Sequence, residues 1–109
     1  MGAFKKISSL ELKAKMDDGW APFVLDVRGA QEAEVCRLAF ADLLHPHHDV
    51  ASIVDQLPQD RDIVVHCKMG GRSAMACETL SRLGFDNCTN LEGGIMGWIR
   101  DVDPSLQRY

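Results

Sequence analysis

The stretch from Asp62 to Leu83 constrains the fold of this chain more than any other. Asp62-Ile63-Val64-Val65-His66 is a short apolar run of strand length. Cys67-Lys68-Met69-Gly70-Gly71-Arg72-Ser73 follows at once, with two glycines, and Ser73 opens a helical pattern. In that pattern Ala76, Leu80 and Leu83 share one face, and Gly84 is the stop. The chain therefore switches from strand to helix through a tight loop that carries a cysteine.

The same alternation runs through the rest of the chain. Phe4 to Ile7 reads as a strand; Ser8 and Glu11 form a capping box for a helix with Leu10, Leu12 and Met16, ending near Gly19. Phe23 to Val27 reads as a buried strand between Pro22 and Gly29, and residues 30–35 as one or two helical turns. Leu38 to Leu44 is a weaker strand candidate ended by Pro46. Val50, Ile53, Val54 and Leu57 have helical spacing. Cys88 to Leu91 is the last strand, and Gly93-Gly94 leads into a helix from Ile95 to about Val102. Strands alternating with helices predict an α/β fold, a mainly parallel sheet with helices on both faces. Sites in such sheets form beyond the carboxyl ends of strands, which is where Cys67 falls.

A length of 109 residues predicts a single domain over residues 1–109. Such a chain buries roughly 65% of its unfolded surface, enough for one core. The net charge of −4 argues against nucleic acid or an acidic membrane as partner, because phosphate binding needs a basic face. No apolar run approaches the ~20 residues that span a bilayer. The first residues lack the apolar segment of a secretory signal, and Lys6 stands where a myristoylation motif starting at Gly2 needs Ser or Thr. Cys36, Cys67, Cys77 and Cys88 contain no Cys-x-x-Cys pair. They suggest neither a disulfide framework nor a metal site, and the expectation is a cytoplasmic protein with reduced thiols.

The thiolate is the nucleophilic form of cysteine, and a free thiol of pKa ~8.5 is only ~3% ionised at pH 7. Lowering the pKa by two units requires about 2.7 kcal/mol of differential stabilisation. A helix dipole starting near Ser73 supplies about 0.3–1 kcal/mol, up to ~2 in a buried geometry. Backbone N–H groups aimed at the sulfur supply ~1.5–3 kcal/mol each. A curl of residues 69–73 around Cys67 provides such groups, with Gly70 and Gly71 allowing positive φ. Lys68 and Arg72 add positive charge at the rim, unless Arg72 turns away to fix the loop shape. This arrangement suits an anion on sulfur and supplies no proton donor for a poor leaving group. Sulfur transfer needs none, and its chemistry is covalent and ping-pong.

From Ile63 to Trp98 the chain resembles the rhodanese family of sulfurtransferases. The resemblance rests on the apolar strand, Cys67-x-x-Gly70-x-Arg72-Ser73, Leu83-Gly84-Phe85 and Leu91-Glu92-Gly93-Gly94-Ile95 with Trp98. Leu25-Asp26-Val27-Arg28 matches the family's other signature, and together these segments cover about three-quarters of the chain. The resemblance implies a five-stranded parallel sheet, a Cys67 persulfide intermediate held by the backbone of residues 68–72, and no metal or organic cofactor. The donor it implies is thiosulfate or a protein persulfide. Two departures stand out. Cys36-Arg37-Leu38-Ala39-Phe40-Ala41 replaces the Gly-His-Ile and Gly-Ala of many members. Glu32 stands where two-domain thiosulfate sulfurtransferases tend to have an Arg, which argues against thiosulfate as natural donor. The end, Asp101 to Tyr109, resembles rhodanese domains fused behind ubiquitin-activating-type adenylating enzymes. That implies a ubiquitin-like sulfur carrier or an adenylating enzyme as partner, and a relay role as the alternative to turnover on small donors.

His66-Cys67 followed by Arg72 also resembles tyrosine phosphatases and arsenate reductases. Their motif needs five residues between Cys and Arg, and here there are four. The shorter loop is a smaller cradle, better matched to one sulfur than to a phosphoryl group. Other features have plainer accounts. His45-Pro46-His47-His48-Asp49 reads as a solvated loop rather than a metal site. Cys77 and Cys88 read as small core residues, with Cys77 as resolving thiol the alternative. Asp26 and Arg28 either orient the loop or the substrate, or form a buried ion pair or a strand-end cap. Trp98 and Met96 read as packing residues.

Overall fold

The computed structural model describes residues 4–109. The Met1-Gly2-Ala3 positions weighed above lie outside the described residues. Five strands, β1 (Lys5–Ile7), β2 (Phe23–Asp26), β3 (Leu43–Leu44), β4 (Ile63–His66) and β5 (Cys88–Leu91), form one sheet in the order β1-β5-β4-β2-β3. Every pairing is parallel. The helices are α1 (Ser9–Asp17), α2 (Ala30–Val35), α3 (Gly71–Arg82) and α4 (Gly94–Asp101), with a 3-10 helix over His47–Gln56 kinked at Asp49.

Strands β2 and β4 carry apolar runs, Phe23–Leu25 and Ile63–Val65, because both faces of the sheet are covered. In β4, Ile63 and Val65 join a cluster with Ala76, Cys77 and Leu80 of α3 and Val50, Ile53 and Leu57 of the 3-10 helix. Val64, between them, points the other way, into a cluster with Leu12 of α1 and Ile95, Trp98 and Ile99 of α4. Burying those two sets at about 25 cal/mol per Å² of apolar surface is the main stabilisation. The capping box starts α1 as expected: Glu11 N–H donates to Ser8 Oγ and Ser8 N–H to Glu11 Oε1, both at 3.1 Å.

Four details differ from the sequence reading. Helix α3 starts at Gly71, two residues before Ser73, with Gly70 as its cap. Leu83 is exposed, because the helix ends at Arg82 and its inward row is Ser73, Ala76, Cys77 and Leu80. Leu10 is also exposed, leaving Leu12 as the buried anchor of α1. The expected strand over Leu38–Leu44 shrinks to Leu43–Leu44. The carbonyl of Cys36 is taken by the Arg28 guanidinium (2.9 Å), and Ala41 N–H turns back to Leu38 O (3.0 Å). That turn lays Phe40 edge-on against Trp98, ring centroids 5.1 Å apart.

Candidate active site

Cys67 is the first residue past the carboxyl end of β4, and α3 begins four residues later. Its sulfur sits at the bottom of the connecting loop, and the residue is 1% exposed. The Gly70 N–H donates to Sγ at 3.1 Å and the Ser73 N–H at 3.4 Å; the Ser73 hydroxyl is also 3.4 Å away. Burial alone raises the thiol pKa. Bonds from the Ser73 hydroxyl and from the N–H groups of Ser73, Gly70 and Met69 outweigh it, and the thiol lies below its ordinary value.

The curl depends on one glycine of the pair, not both. Gly70 has φ 109°, the left-handed region that L side chains avoid. Gly71 is the first helical residue and has no positive φ, which corrects the expectation that both glycines supply it. A Cβ at Gly71 would meet open space.

The N-terminus of α4 holds the loop from behind. Ile95 N–H donates to Cys67 O at 2.9 Å and Met96 N–H to Lys68 O at 3.1 Å. These are N–H groups that the first turn of a helix leaves without an internal partner. With the loop carbonyls turned toward α4, the N–H groups that follow are free to face the sulfur. Gly94 makes the close approach possible: at φ 59°, a Cβ there would stand 2.4 Å from Lys68 O and 2.6 Å from Cys67 O. From β5, Asn90 accepts a short hydrogen bond from the Ser73 hydroxyl and donates to Gly70 O at 3.3 Å.

The flank of the loop is an ion-pair chain. Arg72 turns away from the sulfur and grips Glu32 with both ends of its guanidinium, at 2.6 and 2.8 Å. Arg72 first of all, with Tyr109 and the Gly29 N–H, holds the Glu32 carboxyl down at about 2. The Tyr109 hydroxyl donates to Glu32 Oε2 at 2.6 Å and accepts from Arg28 at 3.2 Å. Burial pushes the Tyr109 phenol up to about 12. Lys68 Nζ sits 4.5 Å from the Tyr109 ring centroid.

The expected site residues therefore divide. Cys67, Gly70 and Ser73 converge at the sulfur. Lys68 and Arg72 lie on the flank, against Tyr109 and Glu32, and the Met69 side chain is exposed. Asp26 and Arg28 form the buried ion pair, 2.7 Å apart and both almost without exposure; Arg28 reaches the loop only through Tyr109 and Glu32. His66 is a buried strand residue. The Cys77 thiol donates a hydrogen bond to the Cys88 sulfur, and with its burial this holds the Cys77 thiol well above the ordinary range; both are free, buried core residues. His45 pairs with Asp49 at 2.7 Å, and no group of three or more His, Cys, Asp or Glu is placed to hold a metal among the described residues. No helix among them is long and apolar enough to cross a membrane. A cavity of about 340 Å³ between Arg37, Phe40, Trp98 and Leu106 contains none of the loop residues.

Sequence reasoning missed Asn90 as a partner of Ser73 and Gly94 as the seat of the loop. It met Glu32 only as a departure and Tyr109 only as part of a tail. The one signal for Glu32 is its sign: an acid in the first turn of α2, opposite to Arg72.

Comparison with known proteins bears on the fold and the family. A sulfurtransferase of Allochromatium vinosum is 33% identical over 100 residues, covering 91% of this chain and 92% of its own length. MoeZ of Mycobacterium tuberculosis, named a probable adenylyltransferase/sulfurtransferase, is 33% identical over 105 residues; the chain spans only 26% of that longer protein. The crystal structure of a rhodanese-like domain protein from Staphylococcus aureus superposes with TM-score 0.82 at 27% identity, covering 97% of this chain and 99% of that one. The family model for the rhodanese-like domain matches residues 8–101, and the chain, a relative of sulfurtransferases, belongs to that family.

Proposed function

We propose that this chain moves sulfane sulfur through a persulfide on Cys67. The Cys67 thiolate attacks the outer sulfur of a donor, the donor's inner S–S bond breaks, and the donor leaves as a thiolate or, from thiosulfate, as sulfite. Cys67–S–S⁻ remains, and its charge is spread toward the N–H groups of residues 69–73. A nucleophilic acceptor then attacks the outer sulfur and regenerates the Cys67 thiolate. Neither half needs a proton donor, because sulfite and thiolates leave as anions.

The observation that carries this reading is the convergence of the Gly70 and Ser73 N–H groups on the Cys67 sulfur at the start of α3. Two such bonds at ~1.5–3 kcal/mol each match the ~2.7 kcal/mol needed to ionise the thiol near neutrality. Lys68 to Ser73 form the cradle, with Asp26 and Arg28 supporting it through Tyr109 and Glu32. The four residues between Cys67 and Arg72 favour sulfur over a phosphoryl group as cargo. Four free thiols, Cys36, Cys67, Cys77 and Cys88, suit a cytoplasmic protein.

The test is intact mass after incubation with a persulfide donor. The wild type gains the mass of one sulfur and Cys67→Ser does not. Equal gain in both, or none in the wild type, overturns the reading. A second reading, a relay for a ubiquitin-like sulfur carrier and its adenylating enzyme, is favoured by the similarity to MoeZ. A relay transfers sulfur from thiosulfate to cyanide slowly, yet loads fully from a protein persulfide.

A further inference from the structure

Residues 67–73 carry two cationic side chains, Lys68 held against Tyr109 and Arg72 held by Glu32. Tyr109 offers its ring to Lys68 at 4.5 Å and its hydroxyl to the Glu32 carboxylate that grips Arg72. A third cation, Arg28, is fully buried, bound to both oxygens of Asp26 and to Tyr109. Each guanidinium is matched by a carboxylate, and Tyr109 is the residue common to all three cations. An anion approaching the loop meets two matched guanidiniums, whose fields fall off faster than that of a lone charge, and a Lys68 ammonium held on the Tyr109 ring.

We propose that Tyr109 sets the donor preference of the loop. By anchoring Lys68 on its ring, beside the Arg72–Glu32 pair, it withholds positive charge from the opening. The site then favours sulfane sulfur carried on a thiol, as in a persulfide, over a small dianion such as thiosulfate. This rests on the sulfur-transfer reading for its substrate but not for its physical core, which is the charge felt at Cys67.

That charge is measured by alkylating Cys67 with iodoacetate, an anion, and iodoacetamide, its neutral analogue, with the site of modification read by peptide mass. Tyr109→Leu releases Lys68, while Arg72 stays paired with Glu32. It should raise the iodoacetate-to-iodoacetamide rate ratio about twofold, as for one charge freed roughly 10 Å away. Tyr109→Phe keeps the ring under Lys68 and should give a smaller rise. Lys68→Gln in the Tyr109→Leu background should cancel part of the rise, and high salt should abolish it. The KM for thiosulfate should fall about fourfold in Tyr109→Leu, since the donor carries two charges. A rate ratio and a thiosulfate KM unchanged in both Tyr109 variants overturn the proposal. Failure of the sulfur-transfer reading would appear separately, as no sulfur on wild-type Cys67 whatever the alkylation series gives.

Discussion

Ile95 donates its backbone N–H to the carbonyl of Cys67 at 2.9 Å, so the helix after β5 holds the loop after β4. The contact brings two backbones together, and Gly94 is what lets them meet.

Gly94→Ala should therefore be among the most damaging small changes in the loop's support. The added Cβ would lie 2.4 Å from Lys68 O and 2.6 Å from Cys67 O, both backbone atoms that cannot swing aside. The left-handed φ of 59° adds its own strain. A loss of about 3 kcal/mol in urea unfolding is expected, with the Cys67 alkylation midpoint displaced upward as the loop moves. Gly71→Ala is the contrast. Its Cβ enters open space on an ordinary helical backbone, so unfolding should show no loss of stability. Equal losses in the two variants would count against this account of the loop.

The Arg72–Glu32 clamp depends on geometry as well as charge. A guanidinium meets both carboxylate oxygens, while an ammonium meets one. Arg72→Lys should behave nearly like Arg72→Gln. The side chains are a third and a quarter exposed, so a double-mutant cycle with Glu32→Gln should give only about 1 kcal/mol of coupling. A coupling near zero would mean that the clamp does not hold the loop.

What the sequence made legible and what it hid follow from distance along the chain. The parallel sheet was readable because burial on both faces makes Phe23–Leu25 of β2 and Ile63–Val65 of β4 continuous apolar runs, and because α3 keeps its buried row on one face. Cys67, Gly70 and Ser73 were readable as a unit because they are close neighbours in sequence. The clamp was not: Glu32 lies 40 positions from Arg72 and 77 from Tyr109, and Asn90 lies 17 from Ser73. The path of residues 36–41 was hidden for a related reason. A buried guanidinium, Arg28, claims the Cys36 carbonyl that a strand would use, and no local pattern announces that.

Ser73 has one hydroxyl proton and three acceptors near it: Asn90 Oδ1, Gly70 O and the Cys67 sulfur. The short bond to Asn90 competes with donation to the thiolate. Ser73→Ala should raise the pH midpoint of Cys67 alkylation and slow the reaction below that midpoint by up to about tenfold, the worth of one hydrogen bond to a charged group. Asn90→Ala should move the midpoint the other way, since the hydroxyl is then released to the sulfur. Shifts of the same sign in the two variants would show that Asn90 does not compete for this proton.

His66 precedes Cys67, at the end of β4. It is fully buried, neither ring nitrogen has a hydrogen-bond partner, and Asp26 Oδ2 is 3.8 Å away. Burial first of all, with Arg28 acting in the same sense and Asp26 against it, lowers its pKa to about 4 from an ordinary 6.5. Between those values the unfolded chain binds a proton that the folded chain refuses, so stability rises with pH across the window and is lost as pH falls from 6.5 to 4. The full shift corresponds to about 3 kcal/mol. Glu32 acts lower, where its own stabilisation is lost as pH falls from 4.5 toward 2. His66→Leu, which also removes two unpartnered nitrogens, should flatten the stability profile between pH 4 and 6.5 and leave the steeper fall below pH 4 in place. Urea unfolding at half-unit steps of pH reads this directly. If the variant keeps the wild-type slope in that window, the acid sensitivity arises elsewhere than at His66.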